Sequence, residues 1–180
     1  HESLDMCGRR VELFAPIDVH AVVGNKDTFA IRRGIRNRQI HAQPDPAWDN
    51  EVFTSTATYD ANTKTELSDV KNVALIPVGS LVTGAGVGRE IYVTSKDVGA
   101  GTIELSKPLY GAPASQTYTF ERFKYILDFS GFSKLQRFFL ADVEFLCQGY
   151  CSGILLPTDG LIFQVRDCFL TTPKNRGITS

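Results

Sequence analysis

The sequence predicts an all-β fold: a parallel β-helix of few coils that carries an inserted antiparallel β-module. Three observations lead to this prediction. The last third of the chain repeats a strand–turn pattern, residues 73–120 contain short strands broken by Gly-rich turns, and no segment longer than about ten residues keeps a helical period with caps. The two copies of the repeat are YILDFSGFSKLQRFFLADVEFLCQG, from Tyr125, and GILLPTDGLIFQVRDCFLTTPKNRG, from Gly153.

The repeat in the last third of the chain predicts that its strands stack on one another. In each copy an apolar triplet leads through a Gly turn to an aromatic-rich strand, then Asp, then a short strand closed by Gly. Asp142 and Asp167 occupy matching places, 25 positions apart (167 minus 142). Units that recur every roughly 20–50 residues stack, because no unit can bury its apolar face alone. Since no helix separates the strands, the predicted stack is a parallel β-helix rather than a helical solenoid.

Residues 1–43 are expected to form the first β-helix coils. The stretch LDMCGRRVELFAPIDVHAVV alternates and then becomes apolar throughout, with Pro16 at an edge or corner. In TFAIRRGIRNRQI, apolar residues alternate with arginines. We expect Val11 and Ile35, 24 positions apart (35 minus 11), to stack on each other.

The middle of the chain departs from this pattern. Residues 44–72 are rich in Pro, Asp, Asn and Thr and are expected to form a loop or linker. Residues 73–120 are expected to form the inserted antiparallel β-module, because short paired strands alternate with Gly-rich turns. The GAGVG run from Gly84 is interpreted as a turn rather than a nucleotide loop, since a strand follows it. Residues 121–180 are expected to form further coils that continue beyond this segment.

Charge and hydropathy argue against several partners. The formal charge of −1 on 180 residues gives no global attraction to nucleic acid or to an anionic membrane. No apolar run approaches the roughly 20 residues of a membrane helix, so we expect no membrane insertion. The chain opens on the polar HESLDMCGRR without an initiator Met, and we expect it to be a segment of a larger protein.

The repeat in residues 124–180 resembles the pectate-lyase-like family of right-handed β-helices, in the branch found in phage tailspikes and gene transfer agent spikes. The stretch IPVGSLVTGAGVGREIYVTSKDVGAGTIELSKPL, from Ile76, resembles a small β-module common in phage tail and spike proteins. The resemblance covers residues 73–180 and implies that the β-helix is right-handed. The acidic N-terminal motif that often opens such β-helices is absent from this sequence.

The resemblance implies two classes of function, because this fold does not fix one activity. The first is a spike-type structural component of a phage or phage-like particle that recognises a bacterial surface or capsular polysaccharide. The second is an enzyme, either a polysaccharide lyase or a glycoside hydrolase. A spike implies a homotrimer, other particle proteins as partners and a place on the virion or particle surface, whereas an enzyme implies secretion. A chain that serves only as a scaffold is a third alternative.

Asp142, Asp167 and Glu144 are the candidate catalytic residues. Glycosidic hydrolysis needs two carboxyl groups at a definite separation. If Asp142 and Asp167 occupy equivalent places on adjacent coils, their backbones lie about 4.8 Å apart. An Asp next to a strand can instead accept backbone N–H bonds at a corner, and a carboxylate can hydrogen-bond a sugar without catalysis, so three roles remain open.

Arg33, Arg36 and Arg38 belong to the densest basic cluster of the chain and are candidate substrate-binding residues. Arg binds carboxylates in a bidentate manner, so an exposed ladder of arginines would suit an acidic polysaccharide. The alternatives are a solvated flank and ion pairs with acids on neighbouring coils.

Trp48 and Tyr59 are candidates to stack on sugar rings, although such residues also anchor loops to the body of a protein. The phenylalanines of the repeats are expected to fill the core, because ladders of like side chains fill a β-helix interior. They are Phe123, Phe129, Phe132, Phe138, Phe139, Phe145, Phe163 and Phe169.

The cysteines are expected to be buried free thiols in strands, where Cys packs as a small apolar residue. Cys147 and Cys151 bracket a turn at a spacing loosely compatible with a metal ion, but the histidines are far away in sequence. We therefore expect no metal site and no cofactor. The four cysteines are Cys7, Cys147, Cys151 and Cys168.

Overall fold

Strands dominate the computed structural model, which describes residues 3–26, 29, 31–157, 159, 160 and 162–179. The all-β prediction is confirmed, because parallel and antiparallel sheets make up nearly all of the regular structure. None of the helices in the described residues is long and apolar enough to cross a membrane. The helical segments are α1 (Val19–Val22) and two 3₁₀ turns, Pro46–Trp48 and Val73–Leu75.

The chain divides into two compact units, one formed by His1–Asp49 with Lys124–Ser180 and the other by Asn50–Phe123. We call them the parallel unit and the antiparallel unit after their strand pairing. In chain order the strands are β1 (Ser3–Leu13), β2 (Ile17–Asp18), β3 (Arg33–Ala42), β4 (Glu51–Tyr59), β5 (Glu66–Ser68), β6 (Leu81–Thr83), β7 (Val93–Asp97), β8 (Thr102–Leu105), β9 (Ser115–Arg122), β10 (Tyr125–Asp128), β11 (Phe138–Leu146), β12 (Ser152–Leu155), β13 (Phe163–Arg166), β14 (Phe169–Thr171) and β15 (Ile178–Thr179).

The parallel unit is built from four successive passes of the chain, which we call rungs 1 to 4. Each rung gives a long stretch to one parallel sheet and then a short strand to a second parallel sheet. Rung 1 is β1 with β2, rung 2 is β3 with β10, rung 3 is β11 with β12, and rung 4 is β13 and β14 with β15. In rung 2 the antiparallel unit occupies the link between the two strands, which elsewhere is a turn of a few residues.

The register confirms that the sequence repeat is a stack. Phe138 pairs with Phe163 on the neighbouring rung, at the 25-residue period that the sequence predicts. The expected stacking of Val11 on Ile35 is wrong, because Val11 pairs with Ile40. Leu4 takes the place beside Ile35, and a bulge between Asp5 and Arg9 shifts the register of β1 by two residues relative to β3.

A left-handed residue interrupts the long strand of every rung. Asn37, Asp142 and Asp167 have φ of 57°, 53° and 51°, and Cys7 in the bulge of β1 has φ of 52°. In a regular strand, side chains that face the core are two positions apart. The left-handed residue adds one position, so that Leu140 and Val143, three positions apart, both face the core. Asn and Asp adopt this conformation more readily than other side chains, which explains their recurrence here.

The core of the parallel unit consists of columns of apolar side chains that lie above one another. Ile40 and Phe145 form the fully buried middle of one column. The predicted aromatic core is confirmed at Phe129, whose ring centroid lies 5.1 Å from that of Phe138 and 5.2 Å from that of Phe163. The prediction is wrong for Phe169, because this residue is 71% exposed.

The antiparallel unit is a six-stranded sheet of order β6-β9-β4-β5-β8-β7. Its longest pairing joins β4 to β9 from Glu51–Arg122 to Thr58–Ser115. The predicted loop over residues 44–72 is therefore wrong from Glu51 onward, and the unit begins at Asn50 rather than at residue 73. Thr-rich alternation in β4 favours a strand, and its partner lies far away in sequence.

Candidate functional site

The rungs place two of the three candidate catalytic residues side by side. The pairs Ala141–Arg166 and Glu144–Phe169 flank Asp142 and Asp167, which therefore occupy equivalent places on neighbouring strands, as the sequence predicts. Both Asp side chains are exposed. Since both residues have left-handed backbones, a structural reason for Asp at this corner exists without any catalytic role.

Glu144 belongs to a ladder of hydrogen bonds that crosses three rungs. Gln39 Nε2 donates to Glu144 Oε2, and Arg10 Nε donates to Gln39 Oε1. The register explains these contacts, because Arg10 pairs with Gln39 and Gln39 with Glu144. We call Arg10, Gln39 and Glu144 the polar ladder. It turns guanidinium, amide and carboxylate groups toward one outer face of the first parallel sheet.

The three candidate arginines do not form one ladder. Arg36 is exposed, and its Nε lies 3.1 Å from Asp5 Oδ2 on rung 1. Arg33 is half-buried and lines a cavity of about 710 Å³ near β1. Arg38 is half-buried beside Val143, a core residue. The left-handed Asn37 shifts the alternation, so Arg36 and Arg38 face opposite sides of the sheet. The three arginines therefore do not form an exposed ladder, and Arg36 instead forms the ion pair with an acid on a neighbouring coil that was one of the alternatives.

Arg38 is held in an unusual setting for a guanidinium group. Its Nε is buried, and no group among the described residues accepts a hydrogen bond from it. Burial lowers the pKa of Arg38 because the charged form loses hydration. A side chain in this position is more suited to filling the edge of the core than to binding a substrate on the surface.

The prediction that Trp48 and Tyr59 stack on sugars is wrong, because both rings are buried. Trp48 is 1% exposed, and its Nε1 donates a 2.8 Å hydrogen bond to the carbonyl oxygen of Gln43. Tyr59 is 7% exposed, and its hydroxyl donates a 2.5 Å hydrogen bond to the carbonyl oxygen of Leu109. Each ring is packed in the core of its own unit, so neither ring presents a face to a ligand.

The cysteines are free, and the prediction of burial holds for two of them. Cys147 and Cys151 are buried, Cys168 is half-buried and Cys7 is exposed. A hydrogen bond between the buried thiols lowers the pKa of Cys147 and raises the pKa of Cys151. Burial raises the pKa of Cys168, with a smaller contribution in the same direction from the nearby carboxylates of Asp142 and Asp167. Within the described residues, no group of three His, Cys, Asp or Glu side chains is placed to hold a metal ion.

Sequence reasoning missed three residues of this surface. Arg10 and Gln39 complete the polar ladder. Phe169 is the residue that pairs with Glu144 on rung 4. The signal for Phe169 was present, because adding the 25-residue period to Glu144 gives its position. No such signal existed for Arg10, since the bulge in β1 changes the spacing from rung 1 to rung 2.

The carboxylates lie on a strand face rather than in a cleft. The 710 Å³ cavity is lined largely by apolar side chains, including Leu4, Val19, Val22 and Phe29, and by none of the three candidate catalytic residues. A general acid for glycosidic cleavage needs a raised pKa, which burial in an apolar cleft commonly supplies. The exposed pair Asp142 and Asp167 has no such surroundings, whereas the polar ladder presents donors and acceptors at regular spacing.

No protein-family model matches this chain, and no curated protein is significantly similar to it in sequence. These comparisons therefore neither support nor contradict the resemblance to tailspike β-helices.

Proposed function

We propose that this chain is a spike-type structural component of a phage or phage-like particle and that it recognises a polysaccharide on the surface of the host bacterium. Its parallel unit is part of a right-handed β-helix of the pectate-lyase-like kind. The polysaccharide lies along the outer face of the first parallel sheet, across the rungs. The observation that carries this proposal is the polar ladder, in which outward-facing polar side chains recur on successive rungs.

A repeating surface suits a repeating ligand. Neighbouring strands lie about 4.8 Å apart, so the ladder offers a hydrogen-bonding group at each such step. Gln39 has both amide donors and an acceptor, while Arg10 only donates and ionised Glu144 only accepts. Together they match the mixed donors and acceptors of sugar hydroxyl groups. Arg36, on the same strand, adds a cation for an acidic sugar, although Asp5 shares it.

Binding is favoured over cleavage by the surroundings of the carboxylates. Asp142 and Asp167 lie exposed at left-handed corners, and Glu144 is already bound by Gln39. The alternative function, a polysaccharide lyase or glycoside hydrolase, is favoured by one observation. Asp142 and Asp167 occupy equivalent places on neighbouring strands, whose backbones lie about 4.8 Å apart, close to the roughly 5–5.5 Å between the carboxyl groups of a retaining pair.

The wider assignment follows from the resemblance of residues 73–180 to phage tail and spike proteins. From this resemblance we propose that the chain lies on the surface of a virion or phage-like particle, forms a homotrimer and has other particle proteins as partners.

Incubation with purified capsular polysaccharides from candidate hosts tests both functions. Gel filtration follows polymer length and co-migration of the protein, and ultraviolet absorbance detects the unsaturated ends that a lyase creates. We expect the polymer to keep its length and to carry the protein with it. Shortening with new absorbance would establish a lyase, and shortening without it a hydrolase.

Two variants locate the binding face. Gln39→Ala removes the centre of the polar ladder and should weaken binding by up to about tenfold, the loss that one hydrogen bond can cause. Lys107→Ala, an exposed change in the antiparallel unit, is the matched control and should leave binding unchanged. Equal binding by both variants would place the polysaccharide elsewhere. Asp142→Asn should retain binding, and loss of any polymer shortening in this variant would instead favour the enzyme.

A further inference from the structure

Two thiols lie side by side at the turn that joins β11 to β12 within rung 3. Cys147 directly follows β11, Cys151 directly precedes β12, and both are buried in the core of the parallel unit. The two side chains are hydrogen-bonded to each other, so their sulfur atoms lie close together. The Cys151 Sγ also lies 3.8 Å from the carbonyl oxygen of Cys147. The fold therefore holds together two nucleophilic groups that the proposed function does not use.

The backbone between the two thiols forms a tight turn. Gln148 and Gly149 have φ of 54° and 73°. The Tyr150 N–H donates a 2.9 Å hydrogen bond to the carbonyl oxygen of Cys147. Positive φ at both central residues is typical of a type I′ turn, which reverses the chain within four residues. The turn thus brings Cys151 back toward Cys147, as a disulfide bond requires, since the Cα atoms of bonded cysteines lie about 4.4–6.8 Å apart.

Backbone hydrogen bonds to rung 4 fix the positions of both cysteines. The Cys147 N–H donates a 3.1 Å hydrogen bond to the carbonyl oxygen of Thr171. The carbonyl oxygen of Cys151 accepts a 2.8 Å hydrogen bond from the Lys174 N–H. Because the main chain is held at both positions and the sulfur atoms already lie close together, an S–S bond can form by rotation of the two side chains without a change of fold.

We propose that Cys147 and Cys151 form an intrachain disulfide bond when the protein meets an oxidising small disulfide such as oxidised glutathione. The bond is a redox-sensitive cross-link that stabilises the corner between the two parallel sheets of rung 3. These two thiols pair with each other because they are already neighbours, whereas Cys7 is exposed in rung 1 and Cys168 is half-buried in rung 4. The bond requires no polysaccharide and does not rest on the proposed function.

The bond forms by two successive thiol–disulfide exchanges. Cys147 ionises first, because the hydrogen bond from the Cys151 thiol lowers the pKa of Cys147. Its thiolate attacks one sulfur of the glutathione disulfide, which gives a mixed disulfide and releases one glutathione thiolate that takes up a proton. Cys151 then loses its proton and attacks the Cys147 sulfur, and the second glutathione thiolate leaves and takes up a proton. In total the two cysteines lose two hydrogens and two electrons, and one glutathione disulfide becomes two glutathione thiols.

The turn above the thiols controls how fast this exchange proceeds. Gln148, Gly149 and Tyr150 are exposed, while the cysteines on either side of them are buried. Glutathione therefore reaches Cys147 when the turn opens locally, an event that does not require global unfolding. We expect the exchange to be slow in the folded protein and faster while the chain refolds.

Mass spectrometry of the full chain tests the proposal. The protein is kept in mixtures of reduced and oxidised glutathione, both when folded and during refolding from urea. It is then unfolded with an alkylating reagent and digested with trypsin. Cleavage after Arg137 and Arg166 gives one peptide, residues 138–166, which contains both cysteines of the pair and neither of the others. We expect oxidation to remove two hydrogens from this peptide and to prevent its alkylation, and dithiothreitol to reverse both effects.

Thermal unfolding measures what the bond does to the fold. The unfolding midpoint of the oxidised chain should lie about 2–8 °C above that of the reduced chain, because the cross-link closes a short loop in the unfolded state. Cys168→Ser is the matched control and should show the same peptide and the same shift. Cys151→Ser should show neither, since Cys147 then has no neighbouring thiol.

Three results would each overturn the proposal. The first is a peptide that is still alkylated at both cysteines under conditions in which the exposed Cys7 has taken up glutathione. The second is a bond from either thiol of the pair to Cys7 or Cys168, or a mixed disulfide with glutathione that does not close. The third is an oxidised chain that unfolds at or below the midpoint of the reduced chain. If Cys151→Ser fails to fold, the peptide mass of the unmodified chain and of Cys168→Ser decides.

Discussion

The parallel unit and the antiparallel unit bury apolar side chains by different means. In the parallel unit one position recurs on every rung, so that Ile40 and Phe145 cover each other in a column. In the antiparallel unit, residues from distant parts of the sequence oppose each other, as Phe53 and Phe120 do across β4 and β9. The first arrangement can be extended by adding another rung, whereas the second is complete when its pairs are made.

The exposed apolar residues reflect this difference. In the parallel unit they include the end members of columns, such as Leu4 and Ile178. In the antiparallel unit four of the five large exposed apolar residues lie outside the strands, and Val52 is the exception. The exposed apolar residues of the antiparallel unit are therefore scattered over its turns, and single exposed apolar residues of this kind need no partner.

The largest expected effect tests whether the two units unfold independently of each other. Phe129→Ala removes a fully buried ring that contacts Phe138 and Phe163, and it should cost about 3–5 kcal/mol of unfolding free energy. Hydrogen exchange should then speed up in β10, β11 and β12 while β4 and β9 keep their protection. The reciprocal variant Phe120→Ala should speed up hydrogen exchange in the antiparallel unit alone. Equal loss of protection in both units after either change would show that they unfold together.

A smaller effect tests how closely the rungs are stacked. A Cβ atom added to Gly153 would lie 2.1 Å from Leu170 Cδ1 and 2.4 Å from the carbonyl oxygen of Gly177, both on rung 4. Gly153→Ala should therefore destabilise the protein by about 1–3 kcal/mol in thermal or chemical unfolding, because the backbone of rung 4 must move. Gly111→Ala is the control, since a Cβ there meets no atom within 4 Å. A neutral Gly153→Ala would mean that the fourth rung is loosely held.

The period of the repeat made the stacking predictable, whereas features that depend on contacts distant in sequence were not. A 25-residue spacing was enough to pair Phe138 with Phe163 and Asp142 with Asp167. Trp48 lies in a polar stretch that indicates a loop, and its burial arises from packing against a core formed by other rungs. Strand β4 was missed because its partner β9 follows more than fifty residues later.

The candidate site was predicted less well because of one backbone angle. Strict alternation places Arg36 and Arg38 on one face, and it fails because Asn37 adopts φ of 57° between them. Nothing in the alternation of apolar residues shows such a shift, although Asn and Asp at this place in successive rungs are compatible with it. The polar ladder was missed for a related reason, since Arg10 enters it only through the bulge in β1.

Two substitutions of Asp142, whose backbone is left-handed, separate a structural role of this residue from a catalytic one. Asp142→Gly should be neutral or stabilise by a few tenths to about 1 kcal/mol, because Gly adopts positive φ without a steric penalty. Asp142→Val should cost about 1–2 kcal/mol, since a β-branched side chain is strained there. Both values come from chemical unfolding of the purified chain. If Asp142→Gly were strongly destabilising, the carboxylate itself, rather than the backbone shape, would be what the corner requires.

The smallest expected effect concerns the corner of rung 1. The Cys7 backbone N–H donates a 2.9 Å hydrogen bond to Asp5 Oδ1, and this bond holds the pKa of Asp5 below its usual range, with a smaller contribution from the Arg36 guanidinium. A lowered pKa in the folded state stabilises the fold above the pKa of the unfolded chain. That contribution is lost as the pH falls through the lowered pKa.

The unmodified chain should accordingly be slightly more stable than Asp5→Asn at neutral pH, and the difference should shrink toward zero in acid. Urea unfolding at a series of pH values measures it, and added salt should reduce the Arg36 contribution. Asp49→Asn, also exposed in the parallel unit, serves as the control. A difference that persists unchanged at acidic pH would mean that the substitution acts through the shape of the bulge and not through the charge of Asp5.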